Sequence, residues 1–343
     1  MLKGTCPQLT NDDACIASFE FEFSSKVLGA AKQSFSVYHH SNQLVVVEHV
    51  VTMTGPANLP CCPPGSWPML VKEATDDIFE PKGEVAMVKT ADGKDLKIYY
   101  VAPATPKYCI IVLQDVYSIR LFHSKSTSLG RIPAICDALA GEGFAVVLPD
   151  IFGDNPIDLA FQPPQEGENW TSQNLFAIDG VPGWFGKNTY ESHEGELIAC
   201  KEFLKGKQLD NLPVGALGFC FGTWLMTKTV VAGSFPFQAM VGCHPATIIE
   251  SAIHGGDEAE LLEAAQPKAP ILFLCAGNDS DVFHENKPGR QALEKSGGGV
   301  IEYPDMVHGW VSRGDTSDEK VKKNMEKAMS EAVEFFKNKL VSK

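Results

Sequence analysis

The feature that most restricts this chain is a series of short, nearly unbroken apolar runs separated by stretches with helical spacing. Tyr108–Leu113, Phe144–Leu148, Val214–Leu217, Ala239–Cys243 and Ile271–Cys275 are apolar on successive residues rather than on alternate ones. Alternation gives a strand one buried face. A continuous run demands two, and a parallel sheet covered by helices on both sides supplies them. Between the runs, Ile132–Ala140 reads as a helix with Pro133 in its first turn and Gly141 at its end, and Glu191–Leu204 has helical spacing. Val85–Lys89 and Leu96–Val101 flank Ala91-Asp92-Gly93-Lys94, a hairpin signal, and Val300–Tyr303 closes the strand series. Asp318–Leu340 is a long amphipathic helix with Val321, Met325, Ala328, Ala332 and Phe335 on one face, expected to dock on the sheet. The expectation is an α/β domain over residues 61–343, with a mostly parallel twisted sheet. Residues 1–60 form an extension of unassigned role, in which Phe19–Phe23 and Leu44–Val51 read as strands with no place in that sheet.

One turn carries chemistry. Gly218-Phe219-Cys220-Phe221-Gly222 follows the Val214–Leu217 run and leads into Thr223-Trp224-Leu225-Met226, which can open a helix. Glycines two places to either side let the backbone turn sharply from strand to helix and lift the middle side chain above the sheet. Cys220 then stands at a helix N-terminus, where the dipole and free N–H groups favour a thiolate nucleophile. The competing reading is a buried structural cysteine beside packing glycines.

A cysteine nucleophile needs a base, and the base an orienting acid. Both follow in order. Ile271–Cys275 runs into Ala276-Gly277-Asn278-Asp279, which presents Asp279 at a strand's carboxyl end, with Asp281 in reserve; Val300–Tyr303 is followed by Pro304-Asp305-Met306-Val307-His308-Gly309-Trp310. His308 is the expected base, and Gly309 is expected to permit its close approach to Cys220. Gln114-Asp115-Val116-Tyr117 closes an earlier strand, where the Val116 N–H, with that of Phe221, would form an oxyanion hole. Asp115 either tunes the resting thiol or caps its turn. His244, ending Cys243-His244-Pro245, is placed at the pocket rim. Residues 151–190 are rich in Pro, Gly and Asn and read as a lid or pocket wall, whose aromatics (Trp170, Phe176, Trp184, Phe185) either line the site or anchor the loop.

Composition narrows the partners. The net charge of −14 argues against non-specific binding to nucleic acid or anionic membrane, and no apolar run is long enough to span a bilayer. Ten cysteines are scattered rather than densely spaced, which fits a reducing compartment. Met1–Asp13 lacks a basic region and a hydrophobic signal core, so a cytoplasmic location is expected. No metal is expected: Cys61-Cys62 has no matching second pair, and His193 lacks the second histidine of a helical zinc motif. No phosphate-cradling glycine motif supports a nucleotide, so no cofactor is expected. A thiol-redox role at Cys220 would need a resolving cysteine, and no Cys-x-x-Cys lies at the elbow. A non-catalytic small-molecule binding protein is the remaining alternative.

Together the elbow Gly-Phe-Cys-Phe-Gly, the Ala-Gly-Asn-Asp turn, the His-Gly-Trp loop, the Val112–Val116 strand end and Leu148-Pro149-Asp150-Ile151-Phe152-Gly153 resemble the dienelactone hydrolase family over about residues 70–343. Cys61-Cys62-Pro63-Pro64-Gly65-Ser66 is similar to a leader of some eukaryotic members. The resemblance implies an α/β-hydrolase fold and hydrolysis of a small-molecule ester or lactone by a monomer or homodimer. Cys220 would be the nucleophile, Asp279 the acid and His308 the base. Asp115 stands where bacterial members have a glutamate, and Thr223 where many relatives have glycine. The arginines that hold the anionic substrate in bacterial enzymes have no clear counterpart between Phe152 and Tyr190. Arg120, Arg131 and Lys187 are the nearby basic residues, and Arg120, Trp184, His244 and Trp310 are the substrate-contact candidates.

Overall fold

The computed structural model describes residues 61–68, 80–117, 131–153, 157, 163 and 183–341 in full, and strand pairing alone within residues 3–54. In that N-terminal part β1 (Lys3–Thr5), β2 (Ala14–Ser25), β3 (Gly29–His40) and β4 (Gln43–Thr54) pair in sequence order as an antiparallel sheet. The two strand runs read in residues 1–60 fall in β2 and β4, in a sheet that shares no strand with the second one.

The second sheet begins with the hairpin β5 (Glu84–Lys89) and β6 (Asp95–Val101), whose turn places Gly93 at φ 86°. It continues through β7 (Tyr108–Leu113), α1 (Ile132–Gly141), β8 (Phe144–Pro149), α2 (Val181–Lys187), α3 (Tyr190–Gly206), β9 (Val214–Phe219), α4 (Phe221–Ala232) and β10 (Ala239–Cys243). There follow α5 (Ile249–Ala252), α6 (Glu258–Ala265), β11 (Ile271–Ala276), α7 (Pro288–Lys295), β12 (Gly299–Tyr303), α8 (Trp310–Arg313) and α9 (Glu319–Lys339). The eight strands lie in the order β12-β11-β10-β9-β7-β8-β6-β5. All pairs from β8 to β12 are parallel, and β6 enters antiparallel to β8.

The continuous apolar runs bury both faces, as their pattern requires. On β7, Cys109, Ile111 and Leu113 join a core with residues of α3, α4 and α6, while Ile110 and Val112 join another with α1 and α9. The terminal helix buries Val321, Ala328, Ala332 and Phe336. Phe335, read from the sequence as its last inward residue, is only partly buried. Steps of four from Ala328 through Ala332 reach Phe336, and a Cβ on Gly215 would sit 2.8 Å from that ring.

The connection decides where a site can form. After β7 the chain steps outward to β8, then returns to β9 on the other side of β7. Loops at the carboxyl ends of β7 and β9 therefore diverge and leave a crevice, the usual ligand site of an open parallel sheet.

Candidate active site

Cys220 lies at this crevice, between β9 and α4, at φ 50° and ψ −114°. Non-glycine residues rarely adopt that backbone, and such strain clusters at functional sites. The two glycines are required by contact. A Cβ on Gly218 would lie 2.7 Å from the Gly222 carbonyl, and one on Gly222 would lie 2.2 Å from the Leu113 oxygen. Thr223 secures the turn: its hydroxyl donates to the Cys220 carbonyl at 2.6 Å and accepts the Ala246 N–H at 2.8 Å. No described residue accepts a hydrogen bond from the N–H of Phe221 or of Val116.

The acid and base loops are built into each other. A Cβ on Gly277 would meet the Pro304 oxygen at 2.3 Å, and the Gly277 N–H donates to Met306 at 2.8 Å. Asn278 Oδ1 accepts the His308 N–H at 2.6 Å. Asp279 Oδ1 lies 2.6 Å from His308 Nδ1, while Oδ2 accepts the Ala276 N–H at 2.7 Å, and both side chains are buried. Burial raises the Asp279 carboxyl above its ordinary value, opposed by His308. Asp281 is exposed and lies 3.5 Å from His284. Gly309 adopts φ 90°, and a Cβ there would strike the Arg313 guanidinium at 2.4 Å; its space serves Arg313 rather than an approach of His308 to Cys220.

The Cys220 thiol is not hydrogen-bonded to His308. It donates to the carbonyl of Cys61 at 3.2 Å, and His308 Nε2 is buried with no partner among the described residues. Residues 61–67 lie across the site as a strap. Pro64 and Gly65 occupy the centre of a turn closed by Ser66 N–H to Pro63 O at 3.1 Å, with Gly65 at φ 80°, the geometry a Pro-Gly pair encodes. Beyond it, the Trp67 N–H donates to His308 O at 2.8 Å, Arg313 Nε donates to Trp67 O at 3.0 Å, and Asn278 Nδ2 donates to Pro64 O at 3.1 Å. Beneath the strap Cys220 is fully buried.

Three sulfurs converge there. Those of Cys61, Cys62 and Cys220 lie within 4.8 Å of one another; Cys61 Sγ is 3.5 Å from Cys62 Sγ, and Arg313 Nη2 is 3.9 Å from the latter. Burial pushes the Cys220 thiol well up, opposite to the direction expected from its place at a helix terminus. The Cys220 and Cys61 sulfurs beside it, aided by Arg313, instead hold the Cys62 thiol well below its ordinary value. The trio is the group of described residues close enough to share a metal ion, but the adjacent guanidinium disfavours a cation.

Asp115 does not touch the sulfurs. Its Oδ2 accepts from Arg313 Nη1 and Ser312 Oγ, each at 2.7 Å, and Oδ1 accepts the Tyr117 N–H at 3.0 Å. It acts on the thiols only through Arg313. His244 Nε2 lies 3.3 Å from Ser312 Oγ, its ring centre 5.0 Å from that of His308; burial, then the nearby His308 and Arg313, push its imidazole well below the ordinary value. Trp184 packs against Phe152 and Phe221, with ring centres 4.8 and 5.9 Å away. Trp310 is fully buried against Tyr303, in the core shared with α9. Arg131 spends its guanidinium on the carbonyls of Val311 and Gly314. Lys187 is exposed, while Arg120, Trp170 and Phe176 lie outside the described residues. Arg313 and Ser312 were not singled out from the sequence. Cys62 was weighed as a metal ligand and set aside, and otherwise named only within a leader-like segment; nothing local in Cys61-Cys62 announces that it reaches Cys220.

Among the described residues no helix is long and apolar enough to cross a membrane. The family model of the dienelactone hydrolase family matches residues 96–340. An uncharacterised AIM2-family protein of Schizosaccharomyces pombe is 25% identical over 246 residues, covering 71% of this chain and 87% of that protein. The hydrolase tropI of Talaromyces stipitatus is 25% identical over 264 residues, covering 75% and 90%. The solved dienelactone hydrolase of Anabaena variabilis superposes with a TM-score of 0.51 at 18% identity, over 77% of this chain and 100% of that one, a likeness of fold. With a family model spanning most of its length and the α/β-hydrolase fold, this chain belongs to the dienelactone hydrolase family.

Proposed function

We propose that the protein hydrolyses a small-molecule lactone or carboxylic ester by acyl transfer through Cys220, His308 and Asp279. One observation carries the reading: a strained, glycine-flanked cysteine and a buried Asp279–His308 pair stand at the carboxyl ends of strands of one parallel sheet. Nδ1–H of His308, donated to Asp279, leaves Nε2 as the lone-pair nitrogen. The Cys220 thiol turns from the Cys61 carbonyl toward Nε2 and gives up its proton there. The thiolate attacks the carbonyl carbon, and the N–H groups of Phe221 and Val116 take the oxyanion. The leaving oxygen departs with the His308 proton; His308 then deprotonates the water that releases the acid from the thioester. A thiolate is itself a good leaving group, so the tetrahedral intermediate goes forward best when the other group is an enolate or phenolate. Enol-lactones and aryl esters are therefore the favoured substrates. Entry requires the strap at residues 61–67 to move aside, since Cys220 is fully buried beneath it.

The test is turnover of enol-lactones and aryl esters by wild type and Cys220→Ala, with folding checked by circular dichroism. The variant should fold and show no turnover. Undiminished turnover would overturn the assignment.

A further inference from the structure

The sulfur cluster has a use that ester hydrolysis does not require. Two of its members come from the strap, about 160 residues before the elbow in sequence, and the third is the proposed nucleophile. Hydrolysis needs one thiol, and substrate entry is hindered by the other two. Their arrangement is selective. Cys61 and Cys62 are adjacent across a trans peptide, which holds their Cα atoms about 3.8 Å apart, short of the roughly 4.4–6.8 Å a disulfide spans. That disfavours a bond within the pair and leaves Cys220 as the partner for either. Cys62 is the sulfur that accepts: Cys61 Sγ lies 3.5 Å away and Arg313 Nη2 3.9 Å, with Arg313 itself fixed by Asp115 at 2.7 Å and by Trp67 O at 3.0 Å.

We propose that Cys62 and Cys220 are a peroxide-sensitive dithiol, and that their disulfide bolts the strap over the site and removes the nucleophile. The cross-link rests on the sulfur geometry alone; the loss of hydrolysis rests also on Cys220 being the nucleophile. Cys62, which accepts from Cys61 and faces the Arg313 guanidinium, is the most readily ionised of the three thiols and the sulfur that meets the oxidant. A strap lifted far enough to admit an ester also admits hydrogen peroxide. The Cys62 thiolate attacks one peroxide oxygen: an S–O bond forms, the O–O bond breaks, and hydroxide leaves, so that sulfur loses two electrons and peroxide gains them. When the strap closes, that hydroxide takes the Cys220 proton as water. The Cys220 thiolate attacks the sulfenic sulfur; S–S forms, S–O breaks, and hydroxide departs. In sum, one thiolate, one thiol and one peroxide give a disulfide, water and hydroxide. A dithiol reductant reverses the link and restores Cys220. The resolving cysteine absent from the elbow sequence is thus supplied by the strap.

The test uses the full chain, reduced and then exposed to graded hydrogen peroxide. Free thiols are blocked, the protein is digested without reductant, and linked peptides are identified by mass spectrometry beside an aryl-ester assay. The expected result is a Cys62–Cys220 peptide pair two hydrogens lighter than the free peptides. Hydrolysis should fall in proportion to its yield, and dithiothreitol should reverse both. Cys62→Ser should form no such pair and should lose the reversible part of the inactivation, while Cys61→Ser should still form it. A Cys61–Cys62 link, oxidation of Cys220 to sulfinic acid with no cross-link, or a stoichiometric metal on the three sulfurs in the isolated protein would overturn the proposal. A fully cross-linked protein that still hydrolyses the ester would leave the dithiol standing and overturn Cys220 as nucleophile.

Discussion

Gly222→Ala sets two effects of known size against each other. Gly222 is the second residue of α4, and alanine in a helix is ordinarily better than glycine by about 0.5–1 kcal/mol. Here the new methyl would lie 2.2 Å from the Leu113 carbonyl oxygen and 2.6 Å from its carbon. The carbon contact is about 1 Å inside the optimum of roughly 3.5–4.0 Å. Leu113 ends β7, so the obstacle is backbone of a central strand and cannot rotate away. The start of α4 must retreat by about that distance, and overpacking of this kind costs about 1–3 kcal/mol. At the middle of both ranges overpacking wins, for a net loss of about 1 kcal/mol once the helix gain is subtracted. Cys220 caps the same helix and moves with it. A displacement near 1 Å costs on the order of 100-fold in rate. Urea unfolding and aryl-ester kcat/KM measure the two effects. The internal control is Gly195→Ala, inside α3 with nothing nearer than the Thr90 Cβ at 3.9 Å, where a gain of about 0.5–1 kcal/mol is expected. Should Gly222→Ala unfold at the wild-type urea concentration and keep wild-type kcat/KM, the close-approach account of this elbow is wrong.

Asp279→Asn keeps the size of the side chain but can present its amide to His308 and select the wrong tautomer, so kcat/KM should fall by roughly 10⁴-fold in the aryl-ester assay; a change within tenfold would refute the orienting role. Burial raises the Glu258 carboxyl to about 7, against hydrogen bonds from Thr247 and Ser280. The folded state therefore holds this proton more tightly than the unfolded one, and the group's contribution is present below its ordinary value of 4.5 and lost as pH rises through about 7. Removing that titration with Glu258→Gln should flatten the fall in stability from pH 5 to 8 by up to about 3 kcal/mol, read by denaturant unfolding, and a slope unchanged from wild type would contradict it. Thr223→Val removes the acceptor of the buried Ala246 N–H and should cost about 1–3 kcal/mol in the same assay; neutrality would mean that this hydrogen bond does not hold the turn.

Much of this was legible because it is local or periodic. Apolar runs buried on both faces specify strands between helices, and neither property depends on a distant residue. The elbow was legible for a similar reason: Gly218 and Gly222 flank Cys220 closely enough in sequence to show that a tight turn was being accommodated. Asp279 and His308 could be named because each follows its own strand. Phe336 was missed for Phe335 because helical spacing alone does not choose between steps of three and four when both residues are apolar. The contact with Gly215 chooses.

What the sequence alone determined was the family of solutions: a two-faced sheet, a cysteine lifted on a turn, and the order of acid and base after it. Only the tertiary structure decided what lies over that cysteine. The Cys61 carbonyl takes the Cys220 thiol, Arg313 rather than Asp115 faces the sulfurs, and Cys62 rather than Cys220 is the thiol pushed toward ionisation. The physical reason is separation along the chain. The strap and the elbow are joined by no periodicity or shared motif, and a thiol's charge depends on which donors and cations burial brings beside it, which folding alone assembles.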